Sequence, residues 1–278
     1  MVKHYVGGQA LVEGVMIKYK NRIAIAVRQP NGKINVKKEK LKYKDSNIPF
    51  IRGIINLFII LYIGVKSLNY SANVSTGNKE KVSTLGIIFS FVFAIVFAIV
   101  LFKLLPLGLV YILDKNFGLN NIVFNILDGV FKVLLFVLYV YAISFMKDVY
   151  RVFQYHGAEH KAVACHEHSN KLNIKDVQKF SKEHIRCGTS FIFLVLFISI
   201  IVYTVIPKDY GFWLKFSLRI LLLPIIASLS YESLRLGAKY KAFSFFSYPG
   251  LWIQKITTKE PDEKQVEVAI KALKAALE

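Results

Sequence analysis

The sequence predicts an α-helical polytopic membrane protein with four transmembrane helices, one re-entrant or interfacial helix, and a small N-terminal β-rich cytoplasmic region. Three observations carry that prediction. Hydrophobic residues make up 54% of the 278-residue chain and the mean hydropathy is +0.43, which is too apolar for an ordinary soluble domain. The apolar residues gather in long runs, separated by polar segments, of about the 20 residues that a span requires. Lys and Arg number 37 against 18 Asp and Glu, a net charge of +19, and they concentrate in segments that one topology places on a single side of the bilayer.

Residues 1–46 form the β-rich region. Arg22-Ile-Ala-Ile-Ala-Val-Arg28 and Lys33-Ile-Asn-Val-Lys37 alternate in polarity around Asn31-Gly32, a pair that tolerates the positive φ angles of a type I′ hairpin turn. Upstream, Tyr5 to Ile17 reads as a further strand broken by Gly7, Gly8 and Gly14. It carries Gln9 and Glu13, which are either solvated side chains on a bulged strand or polar groups aimed at a site. The basic run Lys33 to Lys44 suits water or an anionic leaflet, where each lysine contributes about 1 kcal/mol. No cleavable signal peptide is expected, because the start lacks an apolar core.

Residues 47–84 hold the ambiguous segment. Between Pro49 and Lys66 the apolar core Ile54 to Val65 is shorter than a span, so a half-inserted or in-plane helix is expected over 48–68. Residues 85–146 contain the first transmembrane pair, Leu85 to Leu113 and Ile122 to Met146, and residues 190–236 contain the second, Ser190 to Ile206 and Trp213 to Leu234. Between the pairs lies the polar loop 147–189. Residues 237–278 make a tail with an interfacial stretch, Tyr248 to Ile253, and an amphipathic helix opened by Pro261-Asp-Glu. Val266, Ala269, Ile270, Leu273 and Leu277 line one side of that helix.

Twelve Lys and Arg lie in residues 1–53 and eight in 147–189, whereas the turns 114–121 and 207–215 hold one and two. The positive-inside rule therefore puts both termini and the central loop in the cytoplasm, with the chain in the inner membrane. Making 48–68 a full span would push one basic region outside.

The central loop carries the chemistry. In Gln154-Tyr-His-Gly-Ala-Glu-His-Lys161, helical spacing puts His156, Glu159 and His160 on one face. The pattern H-x-x-E-H matches inverted zincins, in which two histidines bind a metal and the glutamate serves as base. The spacing alone equally suits a helix end whose histidines bond to backbone or headgroups. A catalytic zinc takes a third protein ligand. Glu232, at the cytoplasmic end of the fourth span, fills that role if it does not simply pair with Arg235; Cys165 and Glu13 complete the candidate set, Glu13 as a second catalytic carboxylate. Zinc suits imidazole and carboxylate, as do iron and manganese. A rival set, Cys165, His166, His168, His184 and Cys187, would make a closed structural site. Two cysteines are too few for a disulfide framework.

Gly7-Gly-Gln-Ala-Leu-Val-Glu-Gly-Val-Met16, Arg52-Gly53, Tyr155 to Lys161 with Cys165, Arg186-Cys-Gly-Thr-Ser190, Ser230 to Arg235, and Pro249-Gly250 ahead of Thr257-Thr-Lys-Glu-Pro261 together resemble the YqhQ-like family of uncharacterised prokaryotic integral membrane proteins. The resemblance runs nearly end to end and implies a metal-dependent enzyme whose site is built from these motifs, without naming a substrate. The expectation is a metal-dependent hydrolase acting on a membrane-associated peptide or lipid-linked substrate. The alternative is a non-enzymatic scaffold or biogenesis factor whose basic face meets ribosome, RNA or acidic lipid. Expected partners are the bilayer, anionic lipids, and a membrane-protein or ribosome partner, with no specific nucleic-acid readout. Transport ranks last, because Lys103, Lys132 and Arg219 are the main charges inside the spans.

Overall fold

The computed structural model describes residues 6–42, 46, 48–77, 84–168 and 171–278. It opens with an antiparallel meander of β1 (Val6–Leu11), β2 (Gly14–Tyr19), β3 (Arg22–Arg28) and β4 (Ile34–Lys40), in that spatial order. The stretch expected as one broken strand is thus two. They reverse at Val12-Glu13, where Glu13 takes φ 52°. Gly14 is required there, since a Cβ would stand 2.5 Å from the Ala26 carbonyl oxygen. Asn31-Gly32 does mark the β3–β4 reversal, but in a wider loop than a two-residue type I′ turn. The ring of Pro30 fixes a negative φ, and of this loop only Gly32 turns positive, at φ 81°, with its N–H donating to Gln29 O at 2.9 Å.

The helices that follow are α1 (Ile51–Ser75), α2 (Thr84–Ile99), α3 (Leu105–Phe117), α4 (Asn121–Ile143), α5 (Lys147–His168), α6 (Ile174–Gln178), α7 (Gly188–Tyr203), α8 (Phe212–Leu221), α9 (Leu223–Lys239), α10 (Tyr248–Thr257) and α11 (Glu263–Leu277). Three of them cover the sheet, α5 and α11 on one side and α1 on the other, so β2 and β3 are buried on both faces. Val15, Ile17, Ala24 and Ala26 point into a core shared with α5 and α11, while Met16, Ile23, Ile25 and Val27 point the other way onto Ile63 and Val74 of α1. The period-2 alternation fixes which residue meets which helix. α11 starts at a capping box between Asp262 and Gln265, with Pro261 one residue before the cap. Its stripe of Val266, Ala269, Ile270 and Leu273 closes the first core. The edge strand β4 alternates half-buried and exposed positions from Asn35 onward and leaves Lys38 and Lys40 exposed, which discourages pairing with another chain.

By length and composition three helices suffice to cross a membrane: Ile51–Ser75, Ile88–Phe117 and Asn121–Ile143. A fourth is available if Phe212–Leu221 and Leu223–Gly237, bent by 43°, count as one span. Three sequence expectations change. The segment 48–68, judged too short to cross, belongs to a 25-residue helix, because the chain stays helical through the more polar Lys66 to Ser75. The helix at 190–206 stops at Tyr203 after 16 residues, making it an apolar helix shorter than a full span. The last span is broken at Leu222 ahead of Pro224, which cannot donate to the preceding turn. α2 and α3 are joined by a π-helical segment, Val100–Leu104, upstream of Pro106. There the proline's missing N–H loosens the ladder.

Asp128 went unweighed in the sequence, yet it organises the interior of this bundle. It pairs with Lys132 one turn along α4, and Arg219 Nη1 reaches the same carboxylate oxygen at 2.7 Å. Exposures of 0, 1 and 2% for Asp128, Lys132 and Arg219 remove any water that could take the carboxylate's place. Arg219 also donates to Asn125 Oδ1 at 2.8 Å, and its carbonyl accepts from Tyr203 OH at 3.0 Å. Lys103, from the π segment, donates to that same hydroxyl at 3.0 Å. Replacing Asp128 with Ala should therefore destabilise the protein by about 3–5 kcal/mol, the cost of stranding buried charge. Thermal unfolding in detergent is the measurement, and Asp128→Asn should lose less than Asp128→Ala.

Candidate metal centre

The centre is built on α5. From Gly157 to Cys165 every residue of this helix is buried, because the sheet lies on one side and the segments around 182–190 and 254–261 lie on the other. Gly157 makes that possible: a Cβ there would collide with the Lys259 carbonyl oxygen. The same segment is tied by Lys259 N–H to Phe153 O at 2.9 Å. Close approach brings Thr257 O within 2.8 Å of His156 Nδ1. On the next turn, Lys182 O lies 2.6 Å from His160 Nδ1. A carbonyl can only accept, so both rings carry their proton on Nδ1 and present the lone pair of Nε2.

The third member is Cys187, the N-cap residue of α7. Its sulfur lies 3.2 Å from His156 Nε2, accepts from Thr189 N–H at 3.4 Å, and contacts the Thr189 hydroxyl at 2.8 Å. With His156 protonated on Nδ1, the thiol proton is directed at Nε2. One donor atom from each of His156, His160 and Cys187 falls within 4.8 Å of the other two, and the two imidazole centroids are 4.3 Å apart. Gln254 pins the loop that delivers Cys187, accepting from His184 N–H at 2.7 Å and donating to His184 O at 3.0 Å.

Glu159 completes the group. Its carboxyl is buried against Gly8 of β1, where a Cβ would stand 2.6 Å from Oε1, and its Oε2 has no hydrogen-bond partner. Burial pushes this carboxyl up to about 8, with His156 opposing and Cys187 reinforcing the shift. Burial holds His160 well below the ordinary histidine range, assisted by His156, and raises the Cys187 thiol against the pull of its Thr189 contacts. The donor set is therefore two neutral imidazoles with fixed tautomers and one thiol whose proton an ion would displace. That chemistry fits a divalent transition metal, zinc above all.

Residues 48–278 match a family model described as "Protein of unknown function (DUF1385)". Over 307 aligned residues the chain is 35% identical to "Uncharacterized protein YqhQ" of Bacillus subtilis (strain 168), covering 100% of this chain and 95% of that protein. The chain belongs to this family. No solved structure matches it. The family region includes His156, Glu159, His160 and Cys187, and the likeness to YqhQ extends over the sheet that carries Gly8.

The other residues singled out in the sequence lie apart from this centre. Glu232 binds Arg52 through two hydrogen bonds, one of them 2.7 Å from Nε, and accepts from Phe50 N–H at 3.2 Å. It locks the start of α1 to α9, with Arg52 rather than the nearby Arg235 as its ion-pair partner. Gly53 makes the same junction, touching the Cβ of Tyr231. Glu13 pairs with Arg151, 2.6 Å from Nη2, and accepts from Tyr155 OH at 3.1 Å, which fastens the β1–β2 turn to α5. Cys165 belongs to the core under α11, and its thiol donates to Lys171 O at 3.4 Å. It lies five residues beyond His160 on α5 and faces the α11 core instead, so the rival four-ligand Cys/His site is not assembled among the described residues. The sequence places Cys187 in the rival set with Cys165, His166, His168 and His184, apart from His156 and His160. The signal that it belongs here lies in Arg186-Cys-Gly-Thr-Ser190, where a helix start fixes the sulfur.

The approach at Gly157 holds the acceptor for His156 in place. Gly157→Ala should therefore lower stability by about 1–3 kcal/mol through overpacking. The same substitution should loosen the His156 ring, measured as a lower thermal midpoint together with a changed imidazole ¹⁵N spectrum.

Proposed function

We propose that the chain is a metal-dependent hydrolase of the inner membrane, acting at its cytoplasmic side on a membrane-borne peptide or lipid-linked substrate. The reading is carried by the convergence of His156, His160 and Cys187 beside the unpartnered carboxyl of Glu159. These four side chains line one end of an open cavity of about 970 Å³ whose remaining walls are mostly apolar. Both termini lie on the cytoplasmic side with the sheet and central loop. α1 is half-inserted, because its second half is committed to the sheet through Ile63, Ser67, Ser71 and Val74.

His156 and His160 would hold zinc through Nε2 and Cys187 through its thiolate. When bound, such an ion supplies Lewis acidity to polarise a carbonyl or phosphoryl oxygen and to acidify water. The carbonyls of Thr257 and Lys182 orient the imidazoles and keep them basic. Glu159 Oε2 has no competing donor, so once ionised the carboxylate can accept a water proton there and return it to the leaving group. The apolar walls thin out bulk water around it. Cys187 gives the centre a softer donor than the carboxylate expected from sequence, and with three protein donors a bound ion would keep room for substrate.

Elemental analysis of the purified protein should find about one equivalent of zinc, as a single three-donor site predicts. His160→Ala and Cys187→Ala should lose most of it with folding intact, whereas Glu159→Gln, Glu232→Gln, Cys165→Ser and Glu13→Gln should keep it. Metal lost on changing Glu232 but not Cys187 would refute this ligand assignment. The same preparation free of metal in every variant would favour the scaffold, with His156, His160 and Cys187 linked only by hydrogen bonds.

A further inference from the structure

β1 is an outer strand of the sheet, and it runs alongside the centre. In an antiparallel pair each strand turns alternate N–H and C=O groups away from its neighbour. Among the described residues β1 pairs only with β2, and no backbone or side-chain hydrogen bond reaches its other edge. β4 shields the opposite edge with lysines, but β1 carries none. It carries Gly7 and Gly8 instead, both exposed. Glycine in a strand costs conformational entropy and is used where another backbone must approach closely.

That open edge forms a wall of the cavity. Val6 to Ala10 all line it consecutively, as expected where a strand presents its side rather than a face. β1 is held from two directions. Gly8 sits against Glu159 of α5, and Gly64 of α1 sits against the Gln9 side chain, where a Cβ would stand 2.5 Å from Oε1. The free edge therefore opens between α1 and α5, passing directly beside the candidate base. Apolar side chains such as Leu61, Phe191 and Leu234 line the same cavity.

We infer that the substrate is an extended apolar polypeptide segment that adds to β1 as a further antiparallel or parallel strand, threading past Glu159 with its side chains against α1, α7 and α9. The unmet N–H and C=O groups of β1 supply affinity without regard to sequence, and the apolar walls select hydrophobic side chains. An acyl chain would use the walls and leave the strand edge unmet. This inference rests on the hydrolase reading for its chemistry, but its binding test does not depend on metal.

The test uses the full-length protein in detergent, with zinc measured on the same sample. Three fluorescent probes are titrated: an octapeptide of alternating valine and threonine, the same peptide N-methylated at alternate amides along one edge, and a twelve-carbon fatty acid. The octapeptide should bind saturably, and N-methylation of the pairing edge should weaken it by about tenfold or more, as expected for losing two or more backbone hydrogen bonds. Gly7→Val should weaken it similarly with an unchanged thermal midpoint, since a Cβ at Gly7 meets nothing within 4 Å inside the protein. Equal binding of both peptides overturns the inference, as does displacement by the fatty acid at peptide-like concentrations, or no saturable binding at millimolar peptide. Peptide binding to protein that holds no metal keeps the strand edge and removes the hydrolase. Zinc without peptide binding does the reverse.

Discussion

The carbonyl oxygens of Thr257 and Lys182 accept the Nδ1 protons of His156 and His160, which leaves Nε2 as the lone-pair nitrogen of both rings, with that of His156 facing the Cys187 sulfur. The packing around α5 keeps those two oxygens where they are. Thr257 stays because the chain after α10 is drawn onto α5 at Gly157, and because the Thr258 hydroxyl donates to Gln254 O at 2.7 Å. Lys182 stays because Gln254 grips the peptide at His184 and Lys161 Nζ donates to Gln178 O at 2.8 Å. α10 in turn is set by Gly250, where any Cβ would collide with Ser190 at the start of α7. A centre of this kind tolerates little change in packing, because an imidazole that rotates presents the wrong nitrogen.

The sheet is the platform for that arrangement. α1 covers one face and α5 with α11 the other, so β2 and β3 contribute to two separate cores. Segments from both ends of the chain thereby hold α5, and the ion pairs at Glu13–Arg151 and Arg28–Glu267 reinforce the same junctions at the surface. Glu232 with Arg52 performs the corresponding task where α1 meets α9. Charged residues that stand out in the sequence as candidate ligands thus serve as fasteners around the centre rather than as members of it.

Local pattern made the helical pairing of His156 with His160 legible, as well as the β3–β4 reversal and the apolar stripe of α11, because each depends on residues within a turn or two of one another. The apolar runs likewise located the helices of the bundle. What sequence could not supply was distance in space. Cys187 is 31 positions from His156, and although Arg186-Cys-Gly-Thr-Ser190 marks a helix start, nothing in it says which histidines that start approaches. Glu232 was attractive because an acid near a span is costly, but Arg52, 180 positions away, meets that cost. The lengths of α1 and α7 were misjudged for a related reason. Hydropathy counts apolar residues, whereas helices end where caps, prolines or packing end them.

The charges inside the bundle constrain how it is assembled. Asp128 and Lys132 belong to one helix and form an ion pair, so α4 would carry its own countercharge into a bilayer. Arg219 emerges some ninety residues later, and its buried carboxylate is on α4. In the bilayer proposed here, Arg219 would therefore be costly to expose to lipid until the α8–α9 pair packs on α4. The order of synthesis, early helix first and dependent helix second, is written into which residue supplies the countercharge.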